Sequence, residues 1–152
     1  MDIQITSTGY YLPEKIETSE ELAPKINKSY DWIVSRTGVK ERRISTIDVD
    51  KMGAIAAKSA LKKIKSQPDL ILNASGVGKQ VIPDTSVFIQ KELGLQGIPS
   101  FSIHATCLSF LVALNTAASF ISQGIYKKIL IISSDRGTCG RNLRQPESAA
   151  LL

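Results

Sequence analysis

Cys107 lies in Ser102-Ile103-His104-Ala105-Thr106-Cys107-Leu108-Ser109-Phe110, where an alternating apolar run gives way to a long amphipathic one. Its thiol therefore falls at a strand-to-helix turn. A cysteine so placed can act as a nucleophile: backbone N–H groups and the positive end of the helix dipole favour thiolate over thiol, and a sharp turn can hold the sulfur clear of the sheet. The same position also suits a small apolar cysteine that merely packs in a core. The other cysteine, Cys139, is far away in sequence, and there is no Cys-x-x-Cys pair and only one histidine, His104. No familiar zinc-ligand pattern can be assembled from these, so reduced thiols without a metal are expected.

A second chemistry-bearing group is basic. Arg36, Lys40, Arg42 and Arg43 follow closely on Trp32 and concentrate part of a net charge of +5. Such a cluster could attract a phosphorylated cofactor or an acidic carrier protein; it also reads as an ordinary solvated face. Nucleic-acid binding is disfavoured, because aromatic and basic residues do not interleave and no zinc-finger or RNP pattern occurs. No Gly-x-Gly-x-x-Gly follows a strand, and Gly76-Val77-Gly78-Lys79 lacks the spacing of a phosphate-binding loop.

The positioning elements can be read from periodicity. The sequence has 152 residues, 43% of them hydrophobic and 22% charged, enough for one good core of an ordinary soluble domain. Apolar stretches fall far short of a membrane span and no secretory signal opens the chain, so a cytoplasmic protein is expected. Residues 3–8 alternate like a strand before Gly9 and Leu12-Pro13 break the pattern. Ser19-Glu20-Glu21-Leu22 reads as a short capped helix, and residues 31–37 as another closed by Gly38. Over residues 48–65, Ala56, Ala57, Ala60, Leu61 and Ile64 share a helical face opposite Lys58, Lys62 and Lys65.

Leu70-Ile71-Leu72-Asn73-Ala74-Ser75 reads as a buried strand feeding a loop, after which Asp84 or Thr85 caps a helix that ends at Gly94. Residues 99–103 form the strand that delivers Cys107, the next helix runs to about Gln123, and Ile129-Leu130-Ile131-Ile132 is another buried strand. This order predicts an α/β layered fold with a covered, largely parallel sheet.

The stretches Gly9-Tyr10-Tyr11-Leu12-Pro13-Glu14, Asp31-Trp32-Ile33-Val34-Ser35-Arg36-Thr37-Gly38-Val39-Lys40-Glu41-Arg42 and Ala105-Thr106-Cys107-Leu108-Ser109-Phe110 resemble β-ketoacyl-acyl carrier protein synthase III, a thiolase-like condensing enzyme. The resemblance covers essentially the whole chain and implies one half of a thiolase-like fold, residues 1–152 forming the amino-terminal domain. It implies that Cys107 takes an acyl group from acyl-coenzyme A, and that a malonyl-carrier thioester then loses carbon dioxide and attacks it. Trp32 matches a tryptophan that lies against the coenzyme's adenine and Arg36 an arginine near its phosphates. Ile82 matches an apolar residue lining the acyl pocket of the neighbouring subunit, although it also suits ordinary loop packing. No tightly bound cofactor is implied. Partners would be acyl-coenzyme A, an acyl carrier protein, and a second copy or a complementing carboxy-terminal half.

Departures from the family pattern bear on these expectations. Thr106 and Leu108 stand where members place smaller residues around the cysteine, which points to a different acyl preference. The family's catalytic histidine and asparagine belong to a second half that lies outside this sequence. His104, on the strand leading to Cys107, reads as packed or interfacial rather than as a substitute. Ala149-Ala150-Leu151-Leu152 reads as the beginning of a strand. Alternative readings are an acyltransferase to an oxygen or nitrogen acceptor, and a catalytically silent thiolase-like fragment serving as an interaction module.

Overall fold

The computed structural model describes residues 3–64, 66–139 and 141–151. It divides into two compact units, residues 1–11 with 47–135 and residues 12–46 with 136–152.

The second unit begins with β1 (Lys15–Thr18) and α1 (Ser19–Leu22), continues through α2 (Tyr30–Thr37), and pairs β1 antiparallel with β2 (Glu41–Ile44). Thr18, one residue before the expected Ser19, caps α1 in a reciprocal box with Glu21. Ser19 is thereby freed to donate its hydroxyl to the Val39 carbonyl at 2.7 Å. Ser29 caps α2 through the Trp32 N–H, and Gly38 closes it as expected.

The strand pair went unread because Glu41-Arg42-Arg43-Ile44 looks like a run of surface charge. Strand alternation splits that run: Arg42 is turned inward, 7% exposed, and donates to Ser19 Oγ and the Ala150 carbonyl, whereas Arg43 faces out. The expected basic cluster therefore loses Arg42 to an internal role.

The apolar run near the end is also different from expectation. Pro146 opens a helix, α6 (Pro146–Leu151), rather than a strand, and Ala149 and Ala150 bury fully against Leu22, Ala23, Ile26 and Ile33. Leu152 lies outside the described residues.

The first unit holds α3 (Val49–Leu61), β3 (Leu70–Asn73), α4 (Thr85–Leu93), β4 (Ser100–Ser102), α5 (Ser109–Ser122) and β5 (Ile129–Ile132). Its strands form one parallel sheet in the order β4-β3-β5, as expected of a covered α/β layer. The helix expected over residues 48–65 is shorter, ending at Leu61, and Lys65 lies outside the described residues.

The sheet's two faces bury different partners. Ile71 and Ile132 pack with Ala54 and Ala57 of α3 and Ile89 of α4; Leu70 and Leu72 pack with Ala113 and Ala117 of α5. Leu70, Ile71 and Leu72 are fully buried because β3 is central and covered on both sides, which accounts for an apolar run without alternation.

Residues 3–8 depart from the strand expectation. They belong to no strand, and Ile5 is 69% exposed. Among the described residues no helix is long and apolar enough to cross a membrane.

Candidate active site

Three residues separate the end of β4 from a single 3₁₀ turn, Thr106–Leu108, that runs directly into α5. Cys107 is the middle residue of this turn and is exposed. Ser109, 1% exposed, staples the turn: its hydroxyl donates to the Thr106 carbonyl at 2.7 Å and accepts from the Ala105 N–H at 2.9 Å. The Leu108 N–H closes the same turn on the Ala105 carbonyl. Sequence reading singled out Cys107 but missed Ser109, whose signal was a small hydroxyl at the first turn of an otherwise apolar helix.

The turn is sharp enough to force Thr106 to a φ of 49°. A β-branched residue in the left-handed region is strained by roughly 1–2 kcal/mol. Thr106→Gly is therefore expected to raise the unfolding free energy in urea by up to about 1 kcal/mol, against the usual loosening effect of glycine on the unfolded chain. A loss of stability would show that the Thr106 hydroxyl, bonded to the Ala105 carbonyl at 2.8 Å, outweighs the strain.

Beneath the turn the carboxyl ends of the three strands are tied by a polar chain. Asp84 Oδ1 accepts from Ser102 Oγ at 2.9 Å, Ser102 Oγ accepts from Asn73 Nδ2 at 2.8 Å, and Asn73 Oδ1 accepts from Ser75 Oγ at 2.7 Å. Ser75 Oγ in turn accepts from the Ser134 N–H, and Ser134 Oγ donates to the Val49 carbonyl. Each donor is matched to an acceptor, so the buried polar groups fix the strand ends rather than weaken them. Gly76 lies close under the turn: a Cβ there would stand 3.4 Å from Asp135 Oδ1 and 3.5 Å from the Thr106 carbonyl oxygen. Asp135 Oδ1 holds the adjoining Val77 N–H at 2.7 Å.

Ile82 sits in the loop of residues 76–84 and is 86% exposed, so loop packing does not account for it. The loop is anchored by Lys79, whose ammonium pairs with the buried Asp50 carboxylate at 2.7 Å and with Asp48 at 3.6 Å. Asp50 holds Lys79 above the usual lysine range. Neither acidic partner was singled out in the sequence, since aspartates in a first helical turn are commonplace.

In the second unit Trp32 and Arg36 come together on α2. The Arg36 guanidinium lies 4.6 Å from the centre of the half-buried indole, with Lys28 Nζ 4.9 Å from the same ring. Arg36 is exposed and Trp32 packs against the Leu22–Ile33 core. His104 is exposed. Among the described residues no three His, Cys, Asp or Glu side chains gather to hold a metal.

The site is thus an exposed cysteine on a 3₁₀ turn that joins a strand of a parallel, helix-covered sheet to the helix after it. Known proteins are similar in fold and in sequence. The family model for 3-oxoacyl-(acyl-carrier-protein) synthase III matches residues 101–152. The crystal structure of 3-oxoacyl-(acyl-carrier-protein) synthase III from Aquifex aeolicus superposes with a TM-score of 0.90 at 32% identity, over 95% of this chain and 48% of that one. A priming β-ketosynthase of a polyketide biosynthetic pathway gives 0.84 at 29% identity, over 90% and 42%. β-Ketoacyl-(acyl-carrier-protein) synthase III of Clostridium acetobutylicum is 37% identical over 90% of this chain and 46% of its own length.

Over nearly its whole length the chain is similar in sequence to β-ketoacyl-acyl carrier protein synthase III proteins and shares their thiolase-like fold, and it spans about half the length of the relatives it matches, consistent with their amino-terminal half.

Proposed function

We propose that this chain is the acyl-loading half of an acyl-coenzyme A-primed condensing enzyme of fatty-acid or polyketide-type synthesis. The observation that carries the reading is Cys107, exposed on a turn held by Ser109 at the carboxyl end of the sheet. Cys107 Sγ adds to the thioester carbonyl of acyl-coenzyme A, the coenzyme's sulfur leaves, and the acyl group remains on the cysteine. Backbone N–H groups of the turn stabilise the oxygen that gains charge in this step.

Trp32 and Arg36 take the coenzyme: an indole face stacks on adenine, and a guanidinium beside it pairs with phosphate oxygens. Their closeness on one helix supports that assignment. The exposed Ile82 contributes to the acyl pocket of a second copy, and the protein works as a homodimer in the cytoplasm. The second half of the enzyme, in the same polypeptide or a complementing one, supplies the histidine and asparagine that polarise the carrier-bound malonyl group. Its decarboxylation generates the carbanion that attacks the acyl-cysteine and releases Cys107.

Product analysis tests this. The chain completed with the missing half of a relative, given acyl-coenzyme A and malonyl-carrier protein, is expected to form a β-ketoacyl thioester and carbon dioxide. Acyl transfer to an oxygen or nitrogen acceptor without carbon dioxide would overturn condensation, and no acyl transfer at all would favour a silent interaction module.

A further inference from the structure

The loop of residues 76–84 is fastened at both ends and bare at its tip. At the near end the Val77 N–H donates to Asp135 Oδ1 at 2.7 Å and the Lys79 N–H to Thr85 Oγ1 at 2.9 Å, with Gly78 so close to α4 that an added Cβ would stand 2.9 Å from the same hydroxyl oxygen. At the far end Asp84 caps α4, its Oδ1 accepting from the Ser86 N–H and from Ser102 Oγ, both at 2.9 Å. Between these anchors Gln80 Nε2 donates to the Ile82 carbonyl at 2.7 Å, and Val81 and Ile82 each stand 86% exposed.

The Lys79 side chain crosses from the loop to two helices. Its ammonium lies 2.7 Å from Asp50 Oδ2 and 3.6 Å from Asp48 Oδ2 at the start of α3, and 5.1 Å from the centre of the Phe88 ring on α4. Asp50 is 2% exposed, and its other oxygen, Oδ1, has no hydrogen-bond partner. The pair with Lys79 therefore offsets a buried charge, and lifting the loop would strip the carboxylate of that partner. Moving Val81 or Ile82 by themselves carries no such penalty, since both are already in solvent.

We propose that Lys79 is a positioning residue for the acyl pocket: through its pair with Asp50 it holds Ile82 as a firm wall and so limits the length of acyl group that is accepted. The inference rests on the reading above in which Ile82 enters the pocket of a second copy. Residues 80–83 alone bridge Lys79 and Asp84, and a stretch that short has few paths between two fixed ends. The Asp84 end has other duties, capping α4 and tying β4, whereas the Lys79 side chain serves the loop. Cutting the pair frees the wall at one end, and a longer acyl group then displaces Ile82 without having to break a buried ion pair.

The test uses the chain completed with the missing half of a relative and compares kcat/KM for loading Cys107 from straight-chain acyl-coenzyme A of two to ten carbons. Lys79→Met is expected to flatten the profile, the ratio between the fastest and slowest chain lengths shrinking by about fivefold or more, with the gain falling on the lengths that wild type disfavours. Lys79→Arg, which keeps the charge, is expected to keep the profile. In an Ile82→Ala background Lys79→Met should alter the ratio no further, because the lysine acts through Ile82. Lys79→Met combined with Asp50→Asn removes both charges and repeats the comparison without an unpaired buried carboxylate, should the single variant fold poorly. A wild type that loads every length alike, a rate loss equal at every length in the variants, an unchanged profile, or a shift that persists in the Ile82→Ala background would each overturn the proposal. A wild type that loads no acyl group at all would remove the acyl-loading reading and this inference with it, so the two failures are read separately.

Discussion

Mixed with acyl-coenzyme A, the wild-type chain is expected to gain the mass of a single acyl group, and Cys107→Ala is expected to gain none. The argument is local to the turn. Cys107 is exposed, and its neighbours Ala105, Thr106 and Leu108 are tied by backbone bonds and by Ser109. Cys139 remains in the variant and serves as an internal comparison for ordinary thiol reactivity. Peptide mapping should place the adduct on Cys107 alone, and urea should abolish the preference, because an unfolded chain has no turn. Acyl groups divided evenly between the two cysteines, or an adduct that survives Cys107→Ala, would remove the nucleophile from the proposed function. Ser109→Ala supplies a graded case: it leaves the thiol in place but unpins the turn, and a drop in loading rate on the order of tenfold is expected.

The sequence was most legible where burial imposes a repeating pattern. The apolar run at Leu70-Ile71-Leu72 and the helical face of Ala57 and Ala60 each follow from packing against one sheet, and both were readable. The turn at Cys107 was readable as well, since a strand pattern there meets a helix pattern. Illegible features depend on partners distant in sequence. Arg42 looked like one more surface cation until β1 pairing turned it inward, and Ala149-Ala150 looked like a strand because the core that they complete lies more than a hundred residues earlier. The chain linking Asp84, Ser102, Asn73, Ser75 and Ser134 had no local signature, for each of its members is an ordinary loop residue by type. Residues 3–8 show the opposite case: their alternation is genuine, but a strand needs an edge to pair with, and β5 is separated from them by a cavity.

Acid should weaken the second unit through one carboxylate. Glu17 is 7% exposed and is held by Arg141 and by Lys25, the latter at 2.6 Å. Hydrogen bonding from Arg141, followed by that from Lys25, outweighs burial and lowers its pKa from 4.5 to about 2. A folded-state value below the unfolded one means that the ionised form is favoured by folding. Its stabilisation is complete above pH 4.5 and is lost as the pH falls toward 2, an amount of up to about 3 kcal/mol, reduced by the solvent around Lys25. Burial and then the charge of Arg141 push the Arg42 guanidinium below its usual range, whereas Glu17 opposes both. Glu17→Gln therefore leaves inward-facing cations without their shared counter-charge, a loss of about 3 kcal/mol near pH 7. Trp32 is the only tryptophan and packs on this unit's core, so its fluorescence during urea unfolding reports the relevant transition. The gap between wild type and Glu17→Gln should be widest near neutrality and close toward pH 2. A gap that stays constant across that range would mean that Glu17 acts by shape alone, and that the cations around it are stabilised by something other than its charge.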